Sequence, residues 1–454
     1  MTRPPRVPLP KALQTARFLV RPIPFLETWR AELGETFQAS IAGPGELIFI
    51  SDPESLKRLF AADRINTIAP GRNLILRPLL GPGSLLLQED EEHLKRRKLM
   101  LPPFHGERMR AYEGVIADAT ERAVAAWPDD RPFPLHPSMQ SITLEVILRA
   151  VFGVEDSARR RELSEALVWV LAATASVRAA GFLVPQLRRV PPYRRLRERT
   201  VRIDEILAAE ISERRRADDL AERSDILSML IQARFDDGSQ MSDSELRDQL
   251  MTLLLAGHET TATALAWAFD LLFWRPDAHE RLRDEVRAGR REYLDAAIEE
   301  TLRVRPVVPF TGRELRQEAS LGGYDLEAGD IVMAAIYLTH TRPDLHPDPY
   351  EFRPERFLGG GSASQKPAQR RRASSSPLRA SASQKPAQRR RASSSPLRGS
   401  ASQKPAQRRR ASSSPLRGSA SQTFSWIPFG GGTRRCIGAA FAQFEMRVAL
   451  ETIL

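Results

Sequence analysis

The sequence predicts a mainly helical α+β fold, a single large helical domain with small β-sheets. Three observations lead there. From about residue 90 to 235 the chain is a succession of helix-length segments. The capping box Ser242-Asp243-Ser244-Glu245 then opens a helix that meets no breaker until Pro276. Strand-like stretches are few and short: Glu46–Ser51, Gly323–Leu326 and Ile331–Ile336.

Taken in order, the Pro-rich N-terminus predicts extended chain to about residue 24. A helix is expected from Pro53 to Phe60, then a long Gly- and Pro-punctuated loop from Ala62 to Gln88. Helices are expected over 90–101, 107–126, 138–152, 160–180, 193–217 and 222–235. On the long helix, Leu246, Leu250, Leu253, Gly257, Thr260, Ala264, Trp267 and Leu271 recur at threes and fours, one stripe facing the interior. Pro306 stops a later helix, and Phe352–Phe357 reads as an extended Pro-containing run. A final helix follows Gly438.

Of the 454 residues, 42% are hydrophobic and 28% charged, a globular balance. One cysteine excludes an internal disulfide and a multi-cysteine zinc site, and suits a reducing compartment. No apolar run approaches the roughly 18 residues of a membrane helix, so no anchor is expected. The net charge of +11 is concentrated in one place. SASQKPAQRRRASSSPLR begins at residue 362 and returns twice at a period of 19 residues; the copies carry +15, leaving the rest at −4. Such a tract has no apolar face to bury, so 362–421 is expected to be a disordered basic insertion rather than a solenoid. Outside it, nothing in the charge favours a nucleic-acid partner.

Four short constellations carry chemistry. In Ala256-Gly257-His258-Glu259-Thr260-Thr261, leucines give way to a glycine, an acid and a hydroxyl in mid-helix, each costly beside a core stripe. Gly257 suggests a flat group pressed against the backbone; a kinked core helix is the plain alternative. Glu300 and Arg303, three apart, can pair, with Arg356 joining them. The sole cysteine, Cys436, follows Gly430-Gly431-Gly432 and Arg434-Arg435 at a helix start, where cations and the helix dipole favour thiolate. A lone cysteine is ordinarily a small buried hydrophobe. His258-Glu259 begins an HExxH zinc frame, but position 262 is Ala.

Together these motifs resemble the cytochrome P-450 superfamily of haem-thiolate monooxygenases, closest to soluble bacterial and mycobacterial-type members. Phe429–Gly438 is similar to its FxxGxRxCxG loop, Ala256–Thr261 to its oxygen-activating motif, Glu300–Arg303 to ExxR and Phe352–Arg356 to FxPxR. The resemblance implies a cytoplasmic enzyme that inserts one oxygen atom of O2 into a small hydrophobic substrate. It implies haem b (iron protoporphyrin IX), with electrons from a separate ferredoxin and NAD(P)H-dependent ferredoxin reductase. Cys436 would bind the iron. Glu259 and Thr260 would carry protons toward dioxygen. His93, Arg97, Arg313 and Arg434, with Gly257, Phe429 and Gly438, would hold the haem. Glu300, Arg303 and Arg356 would form a structural charge network. Leu253, Leu254, Val307, Val308 and Phe310, with the loop Asn66–Leu87, would line the substrate pocket. Residues 1–361 and 422–454 would make the haem-binding domain.

Two departures from the family pattern stand out: the repeat insertion, and only 18 residues after Cys436, which reads as a truncated C-terminus. Rival readings are therefore a catalytically impaired haem-binding remnant and an anionic-surface or nucleic-acid binder acting through the repeats.

Overall fold

A computed structural model describes residues 2–62, 66–67, 77–154, 156–175, 193–358 and 424–454. These lie in one compact unit, Met1–Ser362 with Thr423–Leu454. The repeat tract 362–421, parts of the loop 62–88 and the end of the segment 160–180 lie outside the described residues.

The N-terminus departs from expectation. It is not extended but forms α1 (Lys11–Val20) and α2 (Pro22–Leu33). Pro22 and Pro24 sit in the first turn of α2, where a missing N–H breaks no helical bond. Behind them, β1 (Thr36–Ile41) pairs antiparallel with β2 (Gly45–Ile50). The sheet runs β1-β2-β7-β4-β3, with β7 at Ile331–Ala334, β4 at Thr311–Leu315 and β3 at Asn66–Thr67; β5 (Ala319–Leu321) and β6 (Tyr324–Leu326) form a separate ribbon. α3 (Pro53–Ala61) is capped by the Asp52 carboxylate, which accepts from the Ser55 N–H at 2.8 Å.

The helical layer comprises α4 (Arg77–Leu80), α5 (Asp90–Met100), α6 (Glu113–Ala125), α7 (Leu135–Val146, continued by a π-turn at Ile147–Val151), α8 (Ser157–Ala175), α9 (Tyr193–Arg215) and α10 (Ile226–Gln232). α11 (Asp243–Phe273) follows, then α12 (Pro276–Arg287), α13 (Glu292–Val304), α14 (Ile336–His340) and α15 (Ala439–Ile453). The segment read as extended at Phe352–Phe357 instead closes into a 3-10 turn at Pro354–Phe357, with Pro354 starting it.

α11 is the axis of the molecule. Its capping box is formed in both directions between Ser242 and Glu245. It packs on α7, α9, α13 and α15. Leu246, Leu250, Leu253, Ala264 and Leu271 are buried as the stripe requires, each buried leucine contributing about 1.5–3 kcal/mol. Trp267 is the exception, 38% exposed, with the Arg305 guanidinium 5.3 Å from its ring centroid. A strict seven-residue repeat drifts about 20° per heptad around a straight helix. Three heptads from Leu246, the buried face has moved on to Leu265, Ala268 and Leu272.

Candidate active site

Cys436 stands in the turn between a 3-10 stretch, Gly432–Arg434, and α15. Its N–H donates to the Phe429 carbonyl at 3.0 Å, and Gly430 N–H to the Ile427 carbonyl at 2.9 Å. Gly430 and Gly432 adopt φ of 67° and 70°, left-handed backbone that favours glycine. A Cβ on Gly431 would stand 2.6 Å from the Phe60 ring, so this loop must lie flat against α3. The thiol keeps accessible surface, yet desolvation dominates its surroundings: it opens onto a recess among protein atoms. Burial raises its pKa, against the Gly438 N–H, Arg97 and Arg435, which lower it. The cations and the N–H at the helix start thus act in the direction the sequence suggests, against the desolvation of the thiol.

Beside the thiol lies a concentration of positive charge. His93 on α5 is 4% exposed, and its pKa is pushed down to about 3 by burial and then by Arg434, Arg97 and Arg313, all cations. Arg97 is in turn desolvated, with Cys436 the group that favours its charge. Arg434 donates to the Gln88 carbonyl at 2.6 Å; Arg313, 4% exposed on β4, donates to the Gly312 carbonyl at 3.0 Å. Desolvated guanidiniums crowding a neutral histidine call for an anionic ligand. A Cβ on Gly438 would meet no protein atom within 4 Å. A soft sulfur, an open glycine and a cationic cluster fit an iron porphyrin, whose metal would be held by the thiolate and whose propionates would be held by the guanidiniums.

Gly257 does not join this cradle. A Cβ there would point at Ile147, 3.2 Å from its Cδ1, so the glycine admits the π-turn after α7 rather than a flat ligand. The Thr260 hydroxyl donates to the Ala256 carbonyl at 2.6 Å, and Ala256 is exposed although mid-helix. Glu259 turns toward α7: its Oε2 accepts from Gln140 Nε2 at 2.7 Å, and its Oε1 lies 3.4 Å from His136 Nε2. His258 is buried against Thr143, whose hydroxyl lies 2.9 Å from Nδ1. Sequence reasoning missed His136, Gln140 and Thr143, because only the α7–α11 pairing brings them to the motif.

Glu300 and Arg303 meet as foreseen, and Arg356 Nε donates to Glu300 Oε1 at 3.3 Å. Arg303 also donates to the carbonyls of His340, Pro349 and Glu351. His340, buried, joins this network to the cysteine segment: its Nδ1 is 3.2 Å from the Arg303 carbonyl and its Nε2 accepts the Ile427 N–H at 2.8 Å.

The apolar candidates do not form one wall. Leu253 and Leu254 are buried in the main helical cluster, and Val307 packs on it. Val308 is 45% exposed, and Phe310 belongs to the sheet cluster, its ring 5.5 Å from Phe18 and 6.1 Å from Phe49. The loop ahead of α5 is instead tied to α11. Asp248 Oδ2 accepts the Gly83 N–H at 2.7 Å, Gln249 bonds Leu85 N–H at 3.0 Å and the Gly83 carbonyl at 2.6 Å, and Ser84 meets Thr252 at 2.6 Å. This clasp also escaped sequence reasoning.

The Cytochrome P450 family pattern matches residues 12–370 and 413–454. Cytochrome P450 135B1 of Mycobacterium tuberculosis (strain H37Rv) is 37% identical over 462 residues, spanning 100% of this chain and 85% of that protein. Cytochrome P450 137 of the same strain is 34% identical over 463 residues, spanning 99% and 84%. The chain belongs to the cytochrome P450 family. This P450 is accordingly a haem monooxygenase, an oxidoreductase that uses O2 and redox partners. The solved retinoic acid-bound cyanobacterial CYP120A1 superposes on the P450 with a TM-score of 0.73 at 26% identity, covering 98% of this chain and 90% of its own. The haem domain of cytochrome P450DA shares the fold, with a TM-score of 0.74 at 20% identity over 99% and 90% of the two chains. Among the described residues no helix is long and apolar enough to cross a membrane.

Proposed function

We propose that this P450 inserts one oxygen atom of O2 into a small hydrophobic substrate in the cytoplasm, drawing electrons from a separate ferredoxin and its NAD(P)H-dependent reductase. The single cysteine leaves none for an iron–sulfur cluster, and no GxGxxG unit is present for a flavin or dinucleotide module. Haem b is the cofactor in this reading, as the family resemblance implies. The observation that carries the reading is Cys436 opening onto a recess beside the His93, Arg97, Arg313 and Arg434 cluster.

Cys436 binds the iron, with the Gly438 N–H directed at its sulfur. Arg97, Arg313 and Arg434 take the propionates, with His93 neutral beside them. Phe429 orients the cysteine through its carbonyl. When bound, the haem supplies activation of dioxygen. In this reading Thr260 supplies the hydroxyl that meets dioxygen, and Glu259 is the acid that replenishes its proton. Glu300, Arg303 and Arg356 hold the segment that leads to the cysteine loop and touch no reactant. Leu253, Leu254 and Val307 offer substrate an apolar wall; Phe310 supports from behind, in the sheet cluster. The retinoic acid bound to CYP120A1 is a long apolar molecule ending in a carboxylate, a substrate class that suits such a wall.

Residues 362–421 are an insertion outside this machinery. The family pattern leaves 371–412 unmatched, and deleting three 19-residue units is expected to preserve haem binding. The decisive experiment is the reduced carbon-monoxide difference spectrum of the haem-loaded protein. A long-wavelength thiolate band is expected. Its absence from fully loaded protein would refute the assignment of Cys436.

A further inference from the structure

Three side-chain contacts fasten the stretch that leads into the cysteine loop. The unit that holds the repeats ends at Gln422, three residues before Ser425, so the chain re-enters the main unit here. His346 Nε2 lies 3.0 Å from the Ser425 carbonyl, the Trp426 indole N–H donates to the Glu299 carbonyl at 3.1 Å, and the Ile427 N–H donates to His340 Nε2 at 2.8 Å. Of the three, only the last takes hold of a main-chain N–H. Because that N–H is the donor, Nε2 carries no hydrogen and Nδ1 does, 3.2 Å from the Arg303 carbonyl. His340 is fully buried, and Arg303 is locked to Glu300 with neither side chain exposed. The imidazole is thus a spacer of fixed length between that ion pair and Ile427.

Beyond Ile427 the bonds run on to the cysteine. The Ile427 carbonyl accepts the Gly430 N–H at 2.9 Å, closing a turn, and the Phe429 carbonyl inside that turn accepts the Cys436 N–H at 3.0 Å. We propose that His340 is a positioning residue for Cys436, setting where the Ile427–Gly430 turn stands and, through the Phe429 carbonyl, where the cysteine main chain is held; this rests on reading Cys436 as the haem ligand. The His346 and Trp426 contacts leave the peptide between Trp426 and Ile427 free to tilt, and the imidazole fixes it. The bond is buried, so solvent does not replace it when it is unmade. What the ring controls is the share of haem held through thiolate, not the amount of haem bound, which the guanidinium cluster governs.

Two neutral amides separate the two ends of the ring. His340→Gln puts an acceptor oxygen near the place of Nε2, whereas His340→Asn reaches only the place of Nδ1. The reduced carbon-monoxide spectrum is read on samples of matched haem content, as the ratio of the short-wavelength form to the thiolate form. His340→Asn is expected to raise that ratio about tenfold, and His340→Gln to keep it within about twofold of the parent. Trp426→Phe removes the neighbouring bond to Glu299 and leaves Ile427 paired; it should lower the denaturant midpoint with the ratio unchanged. Equal ratios in the two variants at position 340, or a rise in Trp426→Phe as large as in His340→Asn, overturn the proposal. A second readout needs no substitution. In the carbon-monoxide form the Ile427 and Cys436 amides should show hydrogen-exchange protection equal within about tenfold, as groups that open together do; a Cys436 amide that exchanges far faster overturns the proposal as well. Absence of the thiolate form from fully loaded parent protein would remove Cys436 as the ligand and the proposal with it, whereas a normal band in both the parent and His340→Asn refutes His340 alone.

Discussion

Glu300 and Arg303 form a two-point ion pair with no exposed side-chain surface: Nε donates to Oε2 at 2.7 Å and Nη2 to Oε1 at 2.8 Å. The pair is also wired outward, since Arg303 feeds three carbonyls and Glu300 accepts the Arg353 N–H at 2.9 Å. Glu300→Gln leaves a buried guanidinium without its counter-charge and is expected to cost about 3–5 kcal/mol. The denaturant midpoint measures this; a loss below about 1 kcal/mol would mean the pair is solvent-relaxed.

Cys436→Ala is expected to abolish the thiolate carbon-monoxide band while part of the haem stays bound through Arg97, Arg313 and Arg434. Haem content and the band are measured on the same sample. A normal band in the variant would assign the iron to another ligand.

Thr260→Ala should change stability by no more than about 0.5 kcal/mol, because the lost hydroxyl serves only the carbonyl one turn back. Peroxide released per electron consumed should rise. Unchanged peroxide leakage with unchanged folding would take Thr260 out of oxygen activation.

Protonation of buried histidines predicts acid sensitivity. Burial holds His340 well below its ordinary 6.5, and the Ile427 N–H needs its Nε2 free of a proton. His93, down at about 3, shifts in the same direction. The unfolded chain takes these protons near 6.5 while the folded one refuses them. Their contribution is therefore complete above 6.5 and lost as pH falls toward the folded values. Melting temperature should drop between pH 7.5 and 5.5, and less steeply in His340→Gln. A flat profile contradicts this.

Glu445 predicts the opposite sign. It is 1% exposed on α15, and its Oε1 has no hydrogen-bond partner among the described residues. Burial pushes its carboxyl well above the usual range. Stability from the protonated form is present below 4.5 and lost as pH rises. Glu445→Gln should stabilise by about 1–3 kcal/mol at pH 8 and by less at pH 5. Equal gains at both values would show that the carboxyl does not titrate.

Much of the helical layer was legible because its signals are local: the Ser242 cap, the leucine spacing on α11, the Gly-rich approach to Cys436. What escaped depends on pairing or on context. The prolines before residue 24 read as breakers, yet a proline in the first turn is compatible with a helix, and sequence alone does not say which side of the boundary it occupies. Gly257 looked like room for a ligand, and the structure puts Ile147 there. His136 and Gln140 carry no motif; their place beside Glu259 exists only because α7 crosses α11.

The clasp between α11 and the loop at Gly83–Leu85 has a use for protein engineering. Asp248 and Gln249 grip main-chain N–H and C=O groups, which every residue but proline supplies alike. A Cβ on Gly81 would fall 1.9 Å from Asp248, so that position is closed to variation. Leu86 and Leu87 already carry large side chains, partly buried against the main cluster. A combinatorial library randomised at 86 and 87, with 81, 83, 248 and 249 held constant, would sample new side chains on an anchored backbone, and its members should differ in what they accept more than in whether they fold.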